Sequence, residues 1–146
     1  MPPNHVRAIA ICIIRRGDDI FVAEGYDPLK NETFYRPLGG TIEFGEHGRE
    51  TVAREMREEI SAEVTVGRYL AAVENIFTYN GRTGHEIVLI YEAEFVDKAF
   101  YEQECVSAQE DNDSPFRALW KPLAVFRNRQ APLYPDELLE LLERAE

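Results

Sequence analysis

Apolar residues along this chain fall into short runs separated by turn chemistry, and the spacing inside each run predicts its element. Val6 to Ile14 is rich in Val and Ile and ends at Arg15, Arg16 and Gly17, the composition of a strand closing in a turn; Ile20 to Ala23 is its expected hairpin partner. Tyr26 to Glu32, with Asp27, Pro28 and Asn31, reads as a loop. Phe34 to Leu38 is a short extended piece that Pro37 keeps out of a helix, and Gly39-Gly40 follows at once. From Glu46 to about Ile60 the period changes. Val52, Met56 and Ile60 recur every fourth residue with no Pro and only Gly48 between, which predicts an amphipathic helix.

Val64 to Tyr79 and His85 to Val96 are again rich in β-formers, and Asn80 to Gly84 between them supplies turn residues for a long hairpin with a flexible tip. Phe100 to Asp113 is polar and acidic, with no readable period. Phe116 to Trp120 suits one more strand and Leu123 to Phe126 a turn or short helix. Asp136 to Arg144 suits a C-terminal helix after Pro135, with Leu138, Leu139, Leu141 and Leu142 inward. Strands before a helix, then strands, then a helix, argue for an α+β fold in which helices cover a mixed sheet.

The length of 146 residues, 45% of them hydrophobic, suits a single domain spanning 1–146 with one core and no structural disulfide or metal. The formal net charge of -11 argues against a nucleic-acid polymer or an anionic membrane as partner, since both demand a basic patch. A small phosphate ester remains compatible if divalent cations screen it. Cys12 sits in an apolar run, far in sequence from Cys105, and is expected buried and reduced. Met1 to Arg7 lacks the apolar stretch of a leader, and no run approaches the roughly 18 residues of a membrane span, so a cytoplasmic location is expected.

On the helix, Glu55, Glu58 and Glu59 stand at i, i+3 and i+4, so three carboxylates are expected on one patch, turned away from Val52, Met56 and Ile60. Like charges at these spacings cost about 0.2–0.5 kcal/mol per pair, small enough for a plain solvated face. Clustered hard oxygens are also what Mg²⁺ takes. The flanking residues favour the second reading. Gly39 and Gly40 allow close backbone approach, and the segment runs Gly40, five residues, Glu46, seven residues, then Arg54-Glu55-Met56-Arg57-Glu58-Glu59-Ile60-Ser61-Ala62. This resembles the Nudix box, Gly-x5-Glu-x7-Arg-Glu-U-x-Glu-Glu-x-Gly-U with U aliphatic; Ser61 stands where the box has Gly. A Gly there commonly ends the helix in a left-handed conformation, so Ser61 bears on how the next loop runs. Glu43-Phe44-Gly45-Glu46, Arg36-Pro37-Leu38, Trp120-Lys121-Pro122-Leu123 and Leu133-Tyr134-Pro135 carry the resemblance along most of the chain.

The resemblance implies an α/β/α sandwich and a MutT-like hydrolase that cleaves a phosphoanhydride bond in a nucleoside diphosphate derivative by Mg²⁺-assisted water attack, with Mn²⁺ as an alternative ion. It carries metal ligation onto Glu55, Glu58, Glu59 and the carbonyl of Gly39, and makes Arg54 the residue that orients Glu46 and Glu55. The general base comes from the box or from outside it, and Glu59, Glu102 and Glu104 are the candidates in that order. Arg36 is a candidate phosphate contact and His85 and Glu86 candidate substrate contacts, each with an ordinary structural role as the alternative. Phe34, Tyr35, Phe77 and Tyr79 are candidates for stacking on a base, or simply core. Nucleoside triphosphates, nucleotide sugars and dinucleoside polyphosphates all fit; Tyr79 lies where hydrolases of the last class often have a Tyr. No Pro follows the box before Pro115 as in ADP-ribose enzymes, and no signature resembles that of NADH pyrophosphatases. Two other classes stay open: a Nudix-like domain that senses a nucleotide without cleaving it, and an acidic interaction module. Many relatives dimerise, so a homodimer is compatible with the resemblance.

Overall fold

The computed structural model describes residues 4–110 and 114–144. Strand β1 (Arg7–Ile13) is buried on both faces from Ile9 onward because its alternating residues serve two cores. Ala10 and Cys12 share one core with Val52, Met56 and Ile60 of helix α1 (Gly48–Ile60). Ile9, Ile11 and Ile13 share the other with Leu123 and Phe126 of α2 (Leu123–Arg127) and with Leu138 and Leu142 of α3 (Leu138–Arg144). Complete burial of side chains such as Met56 and Leu138 stabilises the layers by about 1.5–3 kcal/mol each.

β1 lies inside a four-stranded mixed sheet. β5 (Gly39–Thr41) pairs with it antiparallel and β7 (Arg82–Phe95) parallel, and β6 (Val64–Tyr79) completes the order β5-β1-β7-β6. A second, antiparallel sheet centres on β3 (Asp19–Asp27), which pairs with β2 (Arg15–Arg16) and β4 (Glu32–Arg36) on one edge and β9 (Pro115–Pro122) on the other. β8 (Cys105–Gln109) closes it against β9. Helices thus cover a mixed sheet and an antiparallel one, in keeping with the α+β reading, with two sheets in place of the one expected.

Three local expectations need correction. Val6 to Ile14 does not form a hairpin with Ile20 to Ala23, because both edges of β1 are taken by β5 and β7; only Arg15–Arg16 folds back on Asp19 and Ile20. The Asn80 to Gly84 tip is tight. Asn80 and Gly81 both have positive φ (50° and 78°), the two-residue turn that matches strand twist, and β7 begins at Arg82. The stretch without readable period holds a 3₁₀ turn at Lys98–Glu102 and then β8, while Asp111 to Asp113 lie outside the described residues. In α3, Leu138 and Leu142 are buried and Leu139 and Leu141 half-buried.

Helix α1 ends in a hydrogen-bonded left-handed cap. Ser61 has φ 56° and ψ 34°, its N–H donates to Arg57 O at 3.0 Å, and Ala62 N–H donates to Met56 O at 3.2 Å. The chain therefore keeps the geometry for which a Gly is suited, at a cost of about 1–2 kcal/mol for an L-residue there.

Candidate active site

A cleft of about 890 Å³ opens between the two sheets, reaching from the α1 carboxylates to the far ends of β6 and β7. Its α1 end is built on the glycine pair. A Cβ on Gly39 would lie 2.7 Å from Ile11 Cα, so β5 can sit against β1 only with bare backbone there. A Cβ on Gly40 would lie 2.6 and 2.8 Å from the two carboxylate oxygens of Glu55. Gly40 is therefore the space into which Glu55 folds, and that residue is only 3% exposed.

Arg54 ties the acidic groups together. Its Nε and Nη2 donate to the two oxygens of Glu46 at 2.8 and 3.0 Å, its Nη1 to Glu55 at 2.8 Å and to Glu58 at 3.2 Å, and Nη2 also to Thr41 O at 3.1 Å. Bidentate, charge-assisted bonds of this kind fix both angle and distance. They hold the Glu46 carboxyl at about 2 instead of the ordinary 4.5, against the opposing effect of burial and with help from the Thr51 hydroxyl at 2.6 Å. The Arg54 guanidinium is held charged well above its usual value, first by Glu46 and also by Glu55.

The three helix carboxylates do not share one outward patch. Glu55 is buried next to Met56, Glu58 is about half exposed and turned to Arg54, and Glu59 is half-buried with its Oε1 enclosed. The physical reason is Gly40, which lets Glu55 tuck inward. Burial first, and then the charge of Glu59, push the Cys12 thiol up to about 12. Cys12 is buried and both Cys12 and Cys105 are free thiols. Among the described residues no three His, Cys, Asp or Glu side chains form a ready-made metal cluster. The donors that do face the cleft here, Glu55, Glu59 and the backbone of Gly39, are hard oxygens on a backbone cradle, which fits a Mg²⁺-type ion in donor chemistry.

Of the other sequence candidates, Arg36 and Glu86 line the cleft. His85 lines a second cavity of about 420 Å³ that adjoins it through Arg7, Phe77, Tyr79 and Glu86, and its Nε2 is buried. Glu102 and Glu104 are not brought to either cavity. Glu104 pairs with Arg16 at 3.2 Å, and Arg16 in turn stacks 4.8 Å from the Trp120 ring, which anchors that stretch by the second sheet. Phe34, Phe77 and Tyr79 line the cleft, whereas Tyr35 is core. Sequence reasoning missed Arg7, Asn75 and Tyr134, which also line it. No spacing rule could have found them, since Arg7 is on β1, Asn75 on β6 and Tyr134 in the segment between α2 and α3.

The sequence model of the NUDIX domain family matches residues 4–142. Over 94 residues the chain is 33% identical to the NAD-capped RNA hydrolase NudC of Pseudomonas aeruginosa strain LESB58, a match covering 64% of this chain and 31% of that protein. The chain thus spans about a third of the length of the curated relatives it matches. Among solved structures, a NUDIX hydrolase from Nitrosomonas europaea is similar with a TM-score of 0.63 at 18% identity, covering 97% of this chain and 88% of that one. A UDP-X diphosphatase is similar with a TM-score of 0.65 at 16% identity, covering 99% and 64%. At such identities the structures speak for the fold, while the match over residues 4–142 reaches from before β1 into α3: the chain belongs to the NUDIX domain family.

Proposed function

We propose that this chain is a metal-dependent hydrolase that cleaves a phosphoanhydride bond in a nucleoside diphosphate derivative. The observation that carries the reading is the Glu55 carboxylate folded onto the bare backbone of Gly40, next to Glu59 at one end of a nucleotide-sized cleft. Glu55, Glu58, Glu59 and the Gly39 carbonyl would hold Mg²⁺ or Mn²⁺. A bound Mg²⁺ supplies charge neutralisation, phosphoryl polarisation and a lowered pKa for an attacking water. Arg54 keeps Glu46 and Glu55 in place, and Glu58, already within its reach at 3.2 Å, turns inward by rotation of an exposed side chain. Where Glu59 is left free of the ion, it is the group that would take the proton from the attacking water, through its oxygen other than the enclosed Oε1. Arg36 and Lys30 line the same cleft and offset the repulsion between an acidic protein and a phosphate chain.

The test is chromatographic detection of the cleaved products from a panel of nucleoside triphosphates, nucleotide sugars, dinucleoside polyphosphates and NAD-capped RNA, the last included because NudC bears that name. Turnover of at least one member in Mg²⁺, abolished by chelation, is expected. Tight nucleotide binding with no product in Mg²⁺ or Mn²⁺ would instead make the chain a sensor.

A further inference from the structure

Along the cleft, three polar side chains form a row across the mixed sheet, starting beside Thr41, whose carbonyl accepts from Arg54, and running from there to β6. Arg7 of β1 is in register with Glu86 of β7, and Glu86 with Asn75 of β6, so all three leave the same face. The next row inward on that face, Ile9, Val88 and Val73, is apolar and buried. Glu86 is 3% exposed and Asn75 8%; Glu86 has an ion pair with Arg7, but neither side chain has a hydrogen bond among the described residues, and neither has a polar atom sealed from the cleft. The nearest cation to Glu86, Arg7 Nη1, is 3.6 Å away, too far for a hydrogen bond, while Arg7 Nη2 is spent on Thr41 Oγ1 at 2.7 Å. Among the described residues the Asn75 side-chain amide makes no hydrogen bond. Both line the cleft, so their free hydrogen-bonding capacity is directed at whatever fills it.

From this row we infer that Glu86 and Asn75 read the edge of the substrate's base, and that the edge carries two adjacent N–H donors, as guanine does. The inference rests on the cleft being a nucleotide site. An ionised carboxylate only accepts, and its two oxygens match two parallel N–H groups; N1–H and N2–H of guanine supply them, whereas adenine offers a donor beside an acceptor. The Asn75 amide can donate to the O6 that flanks this pair. Arg7 is a positioning residue that holds Glu86 from the side. Flat walls for a ring are at hand, because Phe34 lies over Gly25 and Phe77 over Gly84, each where a Cβ would collide with the ring.

A ribose cis-diol presents two donors as well, so the experiment separates the sources. GMP has no phosphoanhydride bond and is not consumed, which lets binding in Mg²⁺ be titrated by calorimetry apart from hydrolysis. GMP should bind about tenfold or more tightly than AMP, with IMP between them, since a charged acceptor strongly discriminates against a ligand lacking its donor. 2′-Deoxy-GMP should match GMP. Glu86→Gln should remove the preference for GMP over AMP, and Asn75→Ala, whose lost side chain has no hydrogen bond among the described residues, should reduce it even if Glu86→Gln folds poorly. Equal binding of GMP and AMP, a preference that survives Asn75→Ala, or loss of binding with 2′-deoxy-GMP each overturns the assignment. Hydrolysis without base preference sinks this inference alone, and base preference without hydrolysis sinks only the catalytic reading.

Discussion

Arg54 and Arg16 are both arginines among carboxylates, with similar partial exposure of their side chains (20% and 27%), and they do different things. Arg16 bonds Asp19 at 2.8 Å and Glu104 at 3.2 Å and lies over Trp120, pinning a loop to the outside of a sheet. Arg54 bonds Glu46, Glu55 and Glu58, and one of those carboxylates is folded onto glycine backbone inside the cleft. The charges are alike; the difference lies in the missing Cβ of Gly40. A cluster of acids becomes a candidate site when the backbone beside it is bare and a cavity receives it.

Substitutions that treat the two clusters alike test this contrast. Glu59→Gln should cut hydrolysis by about 100-fold or more while the melting temperature stays put, and Glu104→Gln should leave the rate at its wild-type value. Comparable losses in both would erase the distinction. Gly40→Ala should raise the Mg²⁺ needed for half-maximal activity by roughly 10- to 100-fold, because the new methyl displaces Glu55. Gly67→Ala, whose Cβ would meet its nearest neighbour at an ordinary 3.5 Å, is the control.

Stability should divide in the same way. In urea unfolding, Arg54→Ala should cost about 3 kcal/mol by stranding Glu46 and Glu55, against roughly 1 kcal/mol for Arg16→Ala. Acid sharpens the point: the depressed Glu46 carboxyl contributes its full stability above the ordinary 4.5, and that contribution is lost as pH falls toward about 2. Unfolding midpoints of Glu46→Gln should accordingly fall less steeply across that window than those of the wild type. The smallest effect expected is from Ser61→Gly, a gain of roughly 0.5–1 kcal/mol from relief of the left-handed cap, with activity unchanged.

Helix α1 and its glycine pair were legible in the sequence because the signals are local: a four-residue apolar period and fixed offsets within one segment. The inward turn of Glu55 was not, since periodicity assigns a helix face but not what the neighbouring strand leaves open for it. Glu102 and Glu104 were candidates on charge alone, and charge density says nothing about which side of a sheet a loop will reach. β1 looked like half of a hairpin because Gly17 and Asp18 do form a turn, between β2 and β3; its true neighbours, β5 and β7, lie farther along the chain. Asn75, Glu86 and Arg7 met no sequence rule as a group, because register between strands aligns them.

The parallel pairing of residues 7–13 with residues 86–92 also has a kinetic consequence. The β6–β7 hairpin closes through a two-residue turn and can zip from its tip, a local event on the microsecond scale. Docking β1 onto it requires closing a much longer stretch of chain, which contains the whole carboxylate helix. During synthesis, therefore, β1 waits for β7, and the cleft acquires its floor only after both have been made.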